Sequence, residues 1–239
     1  MQNEKLITIG EMSNILGISI QTLRRWDKEG KLSSIRKTKS GNRYYNKDIA
    51  DNFIKNNMKD IFKFAKSWAL NDFGIEPPSD FYCQNSFIFQ ARLSRFEKIL
   101  EMEKRLKKIF PLITAITGEI GNNSFDHNLG NWQDIPGVFF SYDLDKKNVI
   151  LADRGQGILK TLKKVKPELT NDQDALKVAF TEIISGRAPE ARGNGLKFVK
   201  NVVGGNKMSL LFQTGEGQLE IKKDGDGLEI KKSDNFIHG

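Results

Sequence analysis

Three short motifs, far apart in the chain, most constrain how its second half can fold. They are Glu119-x-x-x-Asn123, Asp153-x-Gly155-x-Gly157 and Gly193-x-Gly195-Leu196. Hydrophobic spacing predicts that the first lies on a helix, the second follows an apolar strand, and the third opens another helix. Residues four apart share one helical face, and glycines allow the backbone to approach closely. The order and context of the motifs therefore predict one composite pocket.

Each motif supplies a group that a pocket for a nucleoside triphosphate with magnesium requires. Asn123 offers an oxygen ligand for Mg²⁺, and Glu119 on the same face can orient or deprotonate water. Asp153 can project its carboxylate into a pocket where glycines bring the backbone near. The helix that begins at Gly195 would direct its first backbone N–H groups at phosphates, so we expect a phosphate-binding site there. Further positive charge comes from Arg187, Arg192 and Lys197.

The same motifs resemble those of the GHKL ATPase superfamily, over about residues 85–232. This superfamily includes histidine-kinase catalytic domains, anti-sigma-factor kinases, gyrase-type topoisomerases and heat-shock chaperones. The segment Glu119-x-x-x-Asn123-Ser124-x-x-His127 is similar to its N box, and the other two motifs are similar to its glycine boxes. The resemblance implies a Bergerat fold, an α/β sandwich whose mixed sheet is covered by helices on one face.

The resemblance also implies roles for the site residues. Asn123 would bind the Mg²⁺ of ATP, Asp153 would bind the adenine amino group, and Glu119 would serve as general base. Residues 185–194 would form a mobile lid. Ser124 stands where Ala is frequent, and Thr214 is the candidate for the strand threonine of many members. The remaining nucleotide contacts would come from Gly155, Gly157, Arg187, Arg192, Gly193, Gly195 and Leu196.

Residues 6–58 have a different pattern, which predicts a compact first unit. Apolar residues from Ile9 to Leu16 recur at helical spacing, and Thr8 is placed to cap that helix. A tight turn at residues 17–19 leads to a second helix that ends at Gly30. The basic stretch Arg36–Tyr45 has a Ser-Gly-Asn centre, which predicts the tip of a β-hairpin wing.

The second helix of this unit has an apolar and a polar face. Ile20, Leu23 and Trp26 form the apolar face, so the polar side chains opposite are free to reach base edges in a DNA groove. On the wing, Arg43 and Tyr45 suit phosphate contacts. The predicted DNA-contacting residues are Gln21, Thr22, Arg24, Arg25, Arg43 and Tyr45.

Residues 6–56 resemble the winged helix-turn-helix of the MerR family and of excisionase-type domains. The resemblance rests on the Thr8–Glu11 start, the Gly17–Trp26 helix and the Gly41-x-Arg43-x-Tyr45 wing. It implies binding of double-stranded promoter DNA by a homodimer. The helix that forms the dimer would be residues 48–73 or 84–108.

Composition supports an anionic partner. The net charge is +8 with a pI near 9.4. Residues 1–60 hold 12 Lys and Arg against 7 Asp and Glu, a net +5 that leaves +3 for the other 179 residues. Cys83 is the one cysteine, and no window has the apolar length of a signal peptide or a membrane span, so we expect a cytoplasmic protein without membrane contact.

We therefore predict an α+β chain with a DNA-binding domain at residues 1–60, a helical connector at 61–84 and an ATP-binding domain at 85–239. The main hypothesis is a transcription regulator whose second domain binds ATP and Mg²⁺ and couples nucleotide state to DNA or partner binding. The alternatives are an anti-sigma-type Ser/Thr kinase or slow ATPase tethered to DNA, and a degenerate GHKL domain that binds a protein partner. The sequence leaves open whether ATP is hydrolysed.

Overall fold

A computed structural model describes residues 6–16, 20–30, 32–36, 41–46, 61–71, 74, 76–77, 80–183, 194–223 and 227–239. The chain divides into two compact units, Met1–Tyr82 and Cys83–Gly239. The border falls between Tyr82 and Cys83, so the helix predicted as a connector lies within the first unit.

The first unit combines short helices with a small sheet of order β1-β3-β2. Its described elements are β1 (Leu6–Thr8), α1 (Ile9–Leu16), α2 (Ile20–Lys28), β2 (Ile35–Arg36), β3 (Arg43–Asn46) and α3 (Ile61–Leu70). The pair β2–β3 is antiparallel, with Arg36 opposite Arg43, which confirms the predicted hairpin. Residues 37–40 of the predicted wing and residues 48–60 of the first predicted dimer helix lie outside the described residues.

A reciprocal pair of hydrogen bonds fixes the start of α1. The Thr8 hydroxyl accepts from the Glu11 backbone N–H at 3.2 Å, and the Glu11 carboxylate accepts from the Thr8 N–H at 2.7 Å. This capping box satisfies two backbone donors that a helix leaves unpaired at its first turn. The predicted cap at Thr8 is therefore confirmed.

The core of the first unit joins its helices to its sheet. Ile7 on β1 lies opposite Tyr45 on β3, and both side chains are buried. They pack with Met12 from α1 and Leu23 from α2 in one apolar cluster, with Trp26 partly buried against it. Two of the three apolar α2 residues therefore anchor the helix as predicted. The third, Ile20, is instead partly exposed.

The second unit is larger and also mixes helices with small sheets. Its elements are β4 (Tyr82–Cys83, beginning at the last residue of the first unit), α4 (Ser86–Met102), α5 (Phe110–Asn128), β5 (Val138–Asp143), β6 (Asn148–Asp153), α6 (Gly157–Leu162), α7 (Asp172–Thr181), α8 (Gly195–Gly205), β7 (Leu210–Ile221) and β8 (Leu228–Ile237). A short 3₁₀ turn at Lys104–Leu106 follows α4.

The strands of this unit form two sheets, of order β4-β5-β6 and β7-β8. Strands β7 and β8 pair antiparallel, with Leu219 opposite Ile230. A mixed α+β architecture is confirmed. The single mixed sheet of a Bergerat fold is not present among the described strands, because no ladder joins β6 to β8. An irregularity between Gly215 and Gly217 shifts the register of the β7–β8 pair where β8 approaches Asp153.

Two apolar clusters hold the helices of the second unit in place. In the first, Phe89 and Phe96 from α4 pack on Phe140 from β5, with ring centroids 5.6 and 5.8 Å apart. In the second, Phe180 from α7 and Val199 from α8 are fully buried. Burial of this kind stabilises the fold in proportion to the apolar area removed from water. The clusters fix α5 and α8, the helices that carry two of the three motifs.

Among the residues that the structure describes, no helix is both long enough and apolar enough to span a bilayer.

Candidate functional site

The second motif sits where α5 faces the end of β6. Ser124 donates its hydroxyl hydrogen to Oδ2 of Asp153 at 2.7 Å. The other carboxylate oxygen, Oδ1, accepts from the Gly155 backbone N–H at 2.8 Å and from Nδ2 of Asn128 at 3.3 Å. The helix that carries the first motif therefore holds the carboxylate of the second. The structure brings these two motifs together, as the sequence predicts.

The environment of Asp153 favours the neutral carboxyl group. Burial raises the pKa of Asp153 above its usual value, although hydrogen bonds from Ser124, Gly155 and Asn128 oppose the rise. Desolvation disfavours a charge, whereas donors that point at the carboxylate favour it. A half-buried carboxyl group of this kind, beside a glycine turn, is typical of a ligand-binding position rather than of a solvated surface.

Asn128 is a site residue that the motifs do not reveal. Its side chain is buried, with Nδ2 donating to the Ser124 carbonyl at 2.8 Å and Oδ1 accepting from the Gln156 backbone N–H at 2.9 Å. A Cβ atom added to Gly155 would overlap the Asn128 carboxamide. Gly155 is therefore required by close packing against α5. The only sequence signal is that Asn128 lies four residues after Ser124, on the same helical face.

Gly157 is required for its backbone conformation. Its φ is +77°, in the left-handed region that side chains disfavour. A Cβ atom there would lie 3.1 Å from Oγ1 of Thr214, which also accepts from the Ile158 N–H at 3.2 Å. Thr214 is almost fully buried. The structure thus places the threonine singled out from the sequence directly beside the glycine turn.

The first motif also touches the third. A Cβ atom on Gly195 would overlap the carboxylate of Glu119, so this carboxylate lies against the backbone where α8 begins. Leu196, the next residue, packs into the apolar cluster around Phe180. Arg187, Arg192 and Gly193 lie outside the described residues. Their predicted nucleotide contacts remain predictions.

Asn123 lies one turn from Glu119 and is half-buried. Its side chain makes no hydrogen bond within the described part of the chain, so its amide oxygen is available to an added ligand. An available amide oxygen fits a Mg²⁺ that also takes phosphate oxygens and water. Asn123, the hydrogen-bonded carboxyl group of Asp153 and the start of α8 at Gly195 together fit a nucleotide with bound Mg²⁺.

A cavity of about 260 Å³ borders the glycine turn. Gly155 and Gly157 form one wall and Phe236 to Gly239 form another, while Lys160 and Lys163 supply positive charge at its edge. The volume is slightly below the range of roughly 300–1,000 Å³ that is usual for ligand pockets.

Arg154, between Asp153 and Gly155, has a structural function. It is almost fully buried, and its guanidinium contacts Asp134 through Nη2 at 2.7 Å and through Nε at 3.0 Å. A buried arginine requires such a partner because it stays charged. Gln133 beside it donates to the Gly155 carbonyl at 3.0 Å. The loop before β5 therefore fixes the outer side of the glycine turn.

In the first unit, the polar face of α2 is open to solvent. Gln21, Arg24 and Arg25 are exposed, and Arg25 is only loosely paired with Glu29 at 3.9 Å. The side chain of Thr22 lies outside the described residues. Three of the predicted base-reading residues are therefore presented on one exposed surface, while Leu23 points into the core.

The wing residues differ from the prediction. Tyr45 is fully buried in the core, so its assignment as a phosphate contact is wrong. Alternation along a strand sends neighbouring residues to opposite faces, and the pairing of Tyr45 with Ile7 turns this side chain inward. Arg43 is mostly buried and donates through Nε to Asp27 at 2.8 Å. Asp27 also accepts from the Ser34 N–H at 2.8 Å, so it ties α2 to the wing.

A comparison with protein families identifies part of the first unit. Residues 8–45 match the family model described as MerR family regulatory protein. The chain is also similar to the Type II methyltransferase M.Eco47II of Escherichia coli, with 39% identity over 61 residues, which are 26% of this chain and 14% of that protein. No solved structure matches the chain. None of these findings identifies a GHKL domain. The chain carries a MerR-family helix-turn-helix domain at residues 8–45.

Proposed function

We propose that the protein is a DNA-binding transcription regulator whose second unit binds ATP with Mg²⁺. The observation that carries the DNA part is the MerR-family match at residues 8–45, together with the exposed polar face of α2. A recognition helix needs buried anchors and free donors, and α2 has both. The basic excess of residues 1–60 suits a phosphate backbone.

The nucleotide part of the proposal rests on the convergence of the three motifs. Asp153 would accept from the purine amino group, and Asn123 would bind the Mg²⁺. The backbone N–H groups at the start of α8, beside Gly195, would bind phosphate oxygens, because a helix N-terminus attracts anions. Bound Mg²⁺ would neutralise phosphate charge, and the second unit would change state with the nucleotide.

Regulation would require that nucleotide state and DNA affinity depend on each other. We expect a homodimer on double-stranded DNA, as the MerR resemblance implies. Linkage then demands that ATP changes DNA affinity by the same factor by which DNA changes ATP affinity. Equal factors in both directions support the coupling, and unchanged affinities contradict it.

Fluorescence anisotropy with labelled duplex pools tests the DNA part. Arg25→Ala should weaken binding, and losing a base contact should cost about 1–3 kcal/mol on a preferred sequence. Lys107→Ala removes a positive charge from an exposed position of the second unit and serves as the control. Equal binding by both variants and the native protein would contradict the proposal.

Calorimetric titration with ATP and Mg²⁺ tests the nucleotide part. Asp153→Asn and Asn123→Ala should each reduce binding at least tenfold, which corresponds to about 1.4 kcal/mol. Asn148→Ala changes an exposed amide at the start of β6 and is the matched control. If the native protein does not bind ATP, ADP or their magnesium complexes, the second unit does not have this function.

A second candidate function, ATP hydrolysis or transfer to a protein, is favoured by the position of Glu119. Its carboxylate lies against the start of α8, the proposed phosphate seat. A general base must be within reach of the attacking group. Glu119→Gln should then retain ATP binding and lose phosphate release or label transfer. Retained turnover in this variant would rule out Glu119 as the base.

A further inference from the structure

The segment Phe236–Gly239, named here the 236–239 segment, lies against the Asp153 carboxyl group of the candidate site. Ile237 pairs with Gly215, which brings the following residues to the end of β6. Gly239 has a φ of +100° and lies so close to Asp153 that an added Cβ would be 2.5 Å from its carbonyl oxygen and 2.7 Å from Oδ1. Only glycine fits this position.

The same segment reaches the glycine turn. The carbonyl oxygen of Gly239 lies 3.5 Å from the place where a Cβ of Gly157 would be, next to the Thr214 hydroxyl. Asp153, Gly157, Thr214 and Gly239 thus meet at one point. The cavity beside the turn is lined by the segment but not by Asp153. The segment therefore occupies space beside the carboxyl group that a purine ring bound there would need.

We propose that the 236–239 segment is an internal competitor for the purine position, and that a nucleotide binds only after displacing it. This inference rests on the proposed nucleotide-binding function. It adds that only molecules with the segment undocked bind ATP. The apparent Kd for ATP is therefore the intrinsic Kd divided by the undocked fraction.

The contacts of the segment suit a displaceable occupant. Ile237 is its one buried side chain, whereas Phe236 is 57% exposed and packs edge-on against His238, with ring centroids 5.4 Å apart. The β7–β8 pairing ends at Ile237, and no side-chain hydrogen bond holds residues 236–239 to the described residues of the unit. Segments with few buried apolar contacts open at low free-energy cost.

Gly239→Val tests the proposal by preventing docking. A side chain at this position would collide with the Asp153 backbone, so the variant should bind ATP with Mg²⁺ more tightly. If the segment is docked in nine molecules of ten, the gain is about tenfold. Gly227→Val is the matched control, because a Cβ at Gly227 meets nothing within 4 Å. A second variant that lacks His238 and Gly239 should reproduce the gain.

Hydrogen–deuterium exchange provides a readout without titration. Peptides that cover residues 233–239 should exchange faster in Gly239→Val than in Gly227→Val, and adding ATP to the native protein should have the same effect. Unchanged ATP affinity, or weaker binding, in both Gly239→Val and the shortened variant would overturn the competitor role while leaving the nucleotide site intact. Absence of ATP binding in every variant would overturn the proposed function and this inference together.

Discussion

At the scale of single residues, Asn128 and Gly155 illustrate what the motifs leave out. The glycine appears in the sequence as part of a ligand-binding turn, but its missing side chain makes room for the Asn128 carboxamide. The asparagine joins α5 to the turn through two hydrogen bonds, from the Gln156 N–H at 2.9 Å and to Asp153 at 3.3 Å, while a 2.8 Å bond to the Ser124 carbonyl fixes its side chain on α5. Such a pair depends on tertiary contacts, so a local pattern reveals only one of its members.

Gly155→Ala should destabilise the second unit. The added methyl group overlaps Asn128, which must then leave its buried position, and overpacking of this kind costs about 1–3 kcal/mol. The free energy of unfolding, from a denaturant titration, measures the effect. Gly227→Ala introduces the same group into open space and should change stability by less than about 0.5 kcal/mol. Similar values for the two variants would show that Asn128 and Gly155 are not tightly packed.

Asp153 should make the stability of the second unit depend on pH. Because its pKa is raised, the folded state holds the proton more tightly than the unfolded chain does. The stabilisation of the folded state by this tighter proton binding is fully present below the unfolded pKa of about 3.9, and it is lost as pH rises through the folded pKa. Asp153→Asn should therefore raise the melting temperature at neutral pH, with a smaller gain near pH 4. Asp145→Asn in the exposed β5–β6 turn is the control, and equal gains would contradict the expectation.

At the scale of elements, the local pattern predicted the two elements beside the later motifs. The helix predicted to open at Gly195 spans Gly195–Gly205, and the apolar strand predicted before the second motif spans Asn148–Asp153. Strand β7 runs from Leu210 to Ile221 through two glycines, Gly215 and Gly217. Asp172 accepts from the Glu216 N–H at 2.9 Å and supports the chain through the irregular point. That contact comes from a distant helix, which local periodicity cannot show.

The capping box gives an element-scale prediction. Thr8→Ala removes the acceptor for the Glu11 N–H and should cost about 1 kcal/mol of local stability. Hydrogen–deuterium exchange over Ile9–Leu16 should accelerate roughly fivefold, the factor that matches this free energy. Thr170→Ala, at an exposed position outside any helix, should leave that exchange unchanged. Unaltered protection in Thr8→Ala would show that the box does not stabilise α1.

At the scale of the whole molecule, the sequence predicted more than one domain, and the structure divides the chain into two compact units, the first of which contains the MerR-family match. The border between the two units was harder to predict from the sequence. Apolar residues recur at helical spacing from residue 48 to 73, and this pattern does not show which of the two cores they join. The structure assigns Ile61–Leu70 to the first unit, with Trp68 and Ala69 buried. The arrangement of sheets in the second unit also depends on long-range pairing, and the Bergerat fold implied by the resemblance of motifs is not confirmed.

Separate cores lead to a calorimetric prediction. The full chain should unfold in two transitions, and ATP with Mg²⁺ should raise only the one that belongs to Cys83–Gly239. A ligand that binds a native unit at one hundred times its Kd stabilises it by about 2.7 kcal/mol. A DNA duplex should raise the other transition. Asn123→Ala should abolish the ATP response alone, and a shift of both transitions by ATP would indicate one cooperative unit.

The double role of Asp27 has a consequence for operator choice. Because the Asp27 carboxylate near the end of α2 accepts hydrogen bonds from both the Ser34 N–H and Arg43 of the wing, the helix and the wing are held at a fixed separation. A duplex whose groove is too narrow or too wide would not fit both contact points, even with an identical base sequence. Asp27→Asn weakens the contacts that join α2 to the wing. The variant should therefore tolerate a wider range of DNA shapes and bind its best site less tightly.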